Sequence, residues 1–153
     1  MSAQPLVVTP QERPQPLYLV GEQVTVLVDG ATTGNFEIFH QDGPEGAGAV
    51  PHHHPWHEAF YVLTGQIAFG IGGADADTQL ATPGTFVFIP AGTTHWFRFG
   101  AGGAQMLSMT SQPGVAEFFA DVERQVGPAE PDLAILQEVA TAHRVTVVLP
   151  PAS

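Results

Sequence analysis

Two separated stretches of the chain read as halves of one site: Gly46-x5-His52-x-His54-x3-Glu58-x6-Gly65, and Gly84-x5-Pro90-x-Gly92-x2-His95. The first half offers two imidazoles and a carboxylate, and the second a third imidazole. The glycines and the proline are turn residues that bound short apolar runs. In a strand successive side chains alternate between faces, so His52 and His54 point one way and His53 the other. Pro55-Trp56-His57 then turns the chain so that Glu58 opens the next strand toward the same interior, with Phe60 and Val62 on its face. His95 opens a third strand, with Phe97 and Phe99 inward and Trp96 and Arg98 outward. Three imidazoles and a carboxylate form a mixed nitrogen and oxygen donor set suited to one divalent transition metal: iron, nickel, manganese, cobalt, copper or zinc.

The rest of the chain agrees with many short strands. The 153 residues make one compact domain rather than two, and the 17 glycines and 14 prolines, about a fifth of the sequence, suit turns better than long helices. Strand-like runs fall at 17–20, 23–29, 34–41, 50–54, 58–64, 66–71, 78–81, 85–89, 95–99 and 105–110, separated by breakers such as Asp29-Gly30, Asp42-Gly43-Pro44, Gly72-Gly73 and Pro83-Gly84. Residues 1–16 carry Pro5, Pro10, Pro14 and Pro16 and read as an extended arm, with Leu6, Val7 and Val8 favouring docking on a surface. After Pro113 the apolar spacing changes to that of a helix: Val115, Phe118, Phe119, Val122 and Val126, with Ser111 as cap and Gly127 as stop. A second helix spans 132–143, and 145–149 is extended. The expected organisation is an arm at 1–16, a β domain at 17–112 and a helical tail at 113–153 packed on it as an appendage.

Composition excludes several chemistries. There is no cysteine for thiolate attack and no lysine for a Schiff base, and no Gly-x-Ser-x-Gly elbow or phosphate-binding glycine loop follows a strand. A formal charge of −11 repels nucleic acid and anionic lipid, and no apolar span has membrane length. The expected protein is cytoplasmic, without a nucleic-acid or membrane partner. Histidine and carboxylate remain as its reactive groups.

The two motifs, spanning Gly46 to His95, resemble the paired motifs of the cupin superfamily. The resemblance implies an all-β fold, an antiparallel jelly-roll β-barrel with a short C-terminal helical tail, whose mouth holds a metal. It places His52, His54, Glu58 and His95 at the family's ligand positions. One departure is visible: the second motif usually ends in asparagine, where this chain has Phe99. The substrate pocket is expected to be apolar, lined by Phe36, Ile38, His40, Phe60, Val62, Phe97 and Phe99, and to accept a small apolar or aromatic molecule that presents an enol, phenol or carbonyl oxygen. Phe86 and Phe88 cannot be ranked against Val87 and Ile89 by parity. His57, beside Glu58, is the alternative ligand. Trp56 either shapes the mouth or meets a second subunit, the Phe118-Phe119 stripe reads as helix packing, and His143 as a helix-end cap.

The motifs and the tail are similar to those of small quercetin dioxygenase-like cupins, which implies a metal-dependent dioxygenase with Glu58 as ligand and general base. Two other readings stand beside it: an oxygen-independent isomerase, cyclase or lyase like the cupins of polyketide pathways, and a non-enzymatic ligand-binding module. A homodimer is expected because an open barrel leaves strand edges to cover, and the arm is a candidate for exchange between subunits.

Overall fold

The computed structural model describes residues 3–149, so the first two residues of the expected arm and the last four of the expected tail lie outside it. Eleven strands form two antiparallel sheets among these residues. One sheet has the order β1 (Leu17–Leu19), β2 (Glu22–Val28), β3 (Glu37–Gly43), β10 (Ala104–Thr110), β5 (Glu58–Thr64) and β8 (Phe86–Ile89). The other has the order β11 (Thr146–Val147), β4 (Gly48–His53), β9 (His95–Phe99), β6 (Ile67–Ile71) and β7 (Thr78–Ala81). This is the expected jelly roll, with strands near the expected places, save that β3 begins at Glu37 and runs through the supposed breaker Asp42-Gly43. The four motif glycines Gly46, Gly65, Gly84 and Gly92 have φ of +88°, +74°, +91° and +82°, the left-handed region in which a side chain is strained.

Burial alternates with period two where a sheet has one core face. In β9 His95, Phe97 and Phe99 are buried while Arg98 is exposed, and in β5 Phe60 and Val62 are buried while Tyr61 is exposed. In β8 the parity left open resolves toward Val87 and Ile89, with Phe86 and Phe88 on the outside. Phe60, Val62, Ile67, Phe69, Ile89, Phe97, Phe99 and Met106 form one packed cluster. Each such side chain contributes about 2–3 kcal/mol of transfer free energy. Phe99 is accommodated by Gly43, where a Cβ would fall 2.2 Å from its ring.

Two helices follow the expected periodicities, α2 (Val115–Gln125) and α3 (Leu133–Ala142), whereas the single turn α1 (Gly30–Thr33) and a 3-10 turn at Pro10–Glu12 were not expected. The start of α2 corrects the sequence reading. Its cap is Gly114, and Ser111 instead accepts the His57 N–H through Oγ at 2.9 Å. The orphan amides of α2 are met by Glu37 of β3: Oε1 accepts from Val115 N–H (2.8 Å) and Ala116 N–H (3.0 Å), and Oε2 from Gly30 N–H (2.8 Å). A buried carboxyl thus fixes one end of α2. The other end is tied to the β1–β2 hairpin, where Val20 N–H and Gly21 N–H donate to the carbonyls of Gly127 and Pro128. Asp132 caps α3 through Oδ1, and His143 Nε2 lies 2.6 Å from Asp121 Oδ2, joining the end of α3 to α2.

The tail is no appendage. Val115, Val122, Leu136, Val139, Ala140 and Val145 share a buried cluster with Leu19, Val24, Phe39 and Trp56, and β11 adds to the edge of β4 with Val147 opposite His52 and Thr146 opposite His53. No helix among the described residues is long and apolar enough to cross a membrane.

Candidate metal centre

The two sheets bring the four donors together. His52, on β4, pairs directly with His95 at the start of β9, and Glu58 opens β5 on the facing sheet. His54 follows β4 in the turn, and its carbonyl accepts the Gly92 N–H at 2.8 Å, which fastens the second motif to the first. One ligand atom from each of His52, His54, Glu58 and His95 lies within 4.8 Å of the others. That is close to the span one cation bridges with bonds of about 2.1 Å.

The rings are oriented by the backbone. Nδ1 of His52 lies 2.8 Å from Val50 O, Nδ1 of His54 3.1 Å from Trp56 O, and Nδ1 of His95 2.9 Å from Thr93 O. An Nδ1–H donated to a carbonyl leaves Nε2 as the inward ligand atom, the arrangement usual for metal-binding histidine. His54 Nε2 lies 2.7 Å from Glu58 Oε2. His95 Nε2 lies 3.6 Å from the same oxygen and, although fully buried, has no hydrogen-bond partner among the described residues. Burying such an atom unpaired costs about 1–3 kcal/mol, and a cation would remove that cost. The donor set therefore fits a divalent transition metal.

The electrostatics describe a tightly coupled group. Burial would raise the Glu58 carboxyl, but the hydrogen bond from His54 and the nearness of His95 prevail and hold it well below the usual carboxylate range. His52 is pushed down to about 3 by burial and by His95. Burial opposes protonation of His95 as well, yet the Glu58 carboxylate prevails and raises it above the ordinary imidazole value.

Beside the donors lies a cavity of about 110 Å³. Its wall is apolar, with Leu19, Val50, Phe97, Val115, Phe119 and Leu136 prominent, and His52, His54 and Glu58 reach it from one side. Trp56 is buried and stacks on His54, ring centroids 4.3 Å apart and planes 5° from parallel. It shapes the cavity from within, which removes it as a surface contact. Its Nε1 is the other buried side-chain group without a partner among the described residues.

Several expected pocket residues stand elsewhere. Phe97 lines the cavity, whereas Phe60, Val62 and Phe99 are packed in the barrel cluster. Phe36, Ile38 and His40 do not line it, because the inward row of β3 is Glu37, Phe39 and Gln41. Phe36 is exposed, and His40 Nε2 lies 3.3 Å from Gln105 Oε1, its imidazole lowered by burial and by Arg13. His57 is not among the four donors: its Nδ1 accepts the Ala91 N–H at 3.0 Å and braces the second motif. Phe118 and Phe119 do pack, Phe119 edge-on to Phe39 at 5.0 Å, but both also face the cavity. Sequence reasoning missed Glu22 and Gln41, two buried polar residues in the cavity wall. Gln41 has the parity opposite to Phe36, Ile38 and His40, and a polar residue there ordinarily reads as part of a solvent face.

Comparison with known proteins accords with this geometry. The Cupin domain family model matches residues 39–110. Quercetin 2,3-dioxygenase of Bacillus subtilis (strain 168) is 32% identical over 121 residues, 74% of this chain. The match spans 35% of that enzyme's length. Among solved structures, KdgF from Halomonas sp. superposes with a TM-score of 0.64 at 16% identity, over 73% of this chain and 99% of that one. The polyketide cyclase RemF from Streptomyces resistomycificus does so with a TM-score of 0.62 at 20% identity, over 71% and 80%. At such identities the structural likenesses speak for the fold.

Proposed function

Because the chain belongs to the cupin superfamily, we propose that it is a metal-dependent oxygenase, a dioxygenase acting on a small aromatic or enolic compound. The observation that carries this reading is the four-donor cluster, with one buried imidazole nitrogen left unpartnered, beside an apolar cavity. His52, His54, Glu58 and His95 would hold one divalent transition metal, which when bound supplies Lewis acidity and a route for dioxygen to the substrate.

The chain's own contribution follows from the electrostatics. Glu58 is ionised at neutral pH, and since His54 and His95 approach Oε2, Oε1 is its free acceptor for a substrate hydroxyl proton. A carboxylate held so far below its ordinary range is a weak base, so it suits an acidic hydroxyl, an enol or a phenol, rather than an alcohol. The helices α2 and α3 keep bulk water from that proton transfer. Size narrows the substrate further. A cavity of about 150 Å³ accommodates benzene, so one of about 110 Å³ suits a single small ring or a short enolic chain. A three-ring flavonol would require α2 or α3 to move.

Oxygen uptake by protein loaded in turn with iron(II), nickel, manganese, cobalt, copper or zinc, against a panel of small enols and phenols, tests the reading. Oxygen consumption that needs both metal and compound is expected. Turnover that proceeds equally under nitrogen would replace the dioxygenase by an isomerase, cyclase or lyase, and binding without turnover would leave a ligand-binding module.

We also propose that two copies associate through the outer face of the six-stranded sheet. Tyr61, Phe86, Phe88 and Met109 are 45%, 62%, 52% and 42% exposed there. Tyr61 is the cross-strand partner of Phe86, and Ala59 lies between Phe88 and Met109. This patch ends at the edge strand β8 and is free of charge, which is where two chains of net charge −11 can meet with least repulsion. Phe88→Asp is expected to give a monomer by sedimentation velocity where the parent chain is a dimer. An unchanged mass would reject this face.

A further inference from the structure

Apart from the donor cluster and the indole of Trp56, the described cavity wall has one polar station. Glu22 and Gln41, neighbours on β2 and β3, are 5% and 4% exposed, and Gln41 Nε2 donates to Glu22 Oε1 at 2.6 Å. Neither is within the four-donor group, neither makes an ion pair among the described residues, and both line the cavity. A carboxyl group and an amide buried in an apolar wall are costly unless something repays their desolvation. Gln41 satisfies one Glu22 oxygen. No hydrogen bond to the other is made by a described side chain or backbone group, and that oxygen is free to engage a guest.

We infer that Glu22, steadied by Gln41, is a substrate-binding residue that donates a hydrogen bond to an uncharged carbonyl oxygen of the bound molecule, remote from the oxygen that meets the metal. The inference rests on the cavity being the substrate site of the function proposed above, and it specifies the substrate class: a small enolic or phenolic compound with a second, neutral carbonyl. No lysine or arginine is among the described lining residues, so a second carboxylate or a phosphate would find no such cation to offset its lost hydration. Of the lining residues, those that titrate are Glu22, His52, His54 and Glu58. Burial lifts the Glu22 carboxyl to about 8, the Gln41 hydrogen bond opposing the rise and Glu58 adding to it. It therefore carries the donor proton at neutral pH.

The test uses full-length protein in metal-free and zinc-loaded form, with cyclohexanone and its hydrocarbon isostere methylenecyclohexane as probes, their affinities measured by NMR titration. The parent chain should prefer the ketone by about fivefold or more in both forms, the worth of one hydrogen bond in a dry site. That preference should fall as pH rises through 8. Glu22→Met should erase it while zinc content stays at the parent level. Glu22→Gln, whose amide also pairs with Gln41 and donates to a carbonyl, should fold, keep the preference and lose its pH dependence. Absence of a ketone preference in the parent chain, its survival in Glu22→Met, or a pH dependence that persists in Glu22→Gln would each overturn the assignment. Failure of zinc to bind the parent chain would instead strike the metal reading, while the metal-free titrations still decide the role of Glu22.

Discussion

His95→Ala is expected to lower the affinity for cobalt or nickel by more than about 100-fold, since altering a residue that merely supports a ligand already costs 10- to 100-fold. His95 offers a buried Nε2 that no described residue hydrogen-bonds, and its loss removes one of the four clustered donors. Isothermal titration checks the affinity, and a second reading comes from protons. The Glu58 carboxylate raises His95 above the ordinary imidazole value, against burial, so the ring keeps its proton to a higher pH than an ordinary imidazole and must release it to a metal. Metal binding by the parent chain should therefore strengthen as pH rises from 6 to 8. It should also release protons, read from the dependence of the binding heat on buffer ionisation, and fewer as the pH rises. His52, held down to about 3, adds nothing to this window. A variant that keeps parental affinity, or a parent whose binding ignores pH, would refute the four-donor centre.

Glu37→Ala is expected to destabilise the fold by about 3–5 kcal/mol. Three backbone amides, of Gly30, Val115 and Ala116, donate to its buried carboxyl, and each left unsatisfied costs about 1–3 kcal/mol, with water recovering part of the loss. For a chain of this size the melting temperature should fall by about 10 °C. Because Val115, Phe118, Phe119 and Val122 form one side of the cavity, ligand affinity should weaken along with stability. Glu37→Gln keeps one acceptor and should lose less than half as much. Denaturant melts of the three proteins decide it, and a loss below about 1 kcal/mol for the alanine variant would show that α2 holds its place without this carboxyl.

Glu37 also marks the boundary of what the sequence makes legible. Strand positions and the donor cluster were readable because both rest on local rules: alternation by two, turns at glycine and proline, and ligand side chains placed at strand starts. The inward row of β3 was not. Phe36, Ile38 and His40 look like the interior and Glu37, Phe39 and Gln41 like a mixed face, until Glu37 finds α2 and Gln41 finds Glu22. Those partners are distant in sequence, and a long-range hydrogen bond that reverses the apparent polarity of a strand leaves no periodic trace. The same holds for α2 and α3, whose apolar stripes were evident while the surface they cover was not. Trp56 was ambiguous for a related reason, since only the stack on His54 turns a loop aromatic into a wall.

The helical roof has one consequence for descent. The family model matches residues 39–110, which contain all four donors, whereas Leu19, Glu22, Phe118, Phe119, Leu136 and Val147, which shape the space a guest occupies, are encoded on either side of that stretch. The donors thus lie wholly within the matched stretch, while the cavity wall is shared between it, through Gln41, Val50, Trp56 and Phe97, and the flanks. A lineage can rewrite the flanks and reshape that wall while the four donors stay put, so kinship in the barrel foretells the donor set better than it foretells the guest.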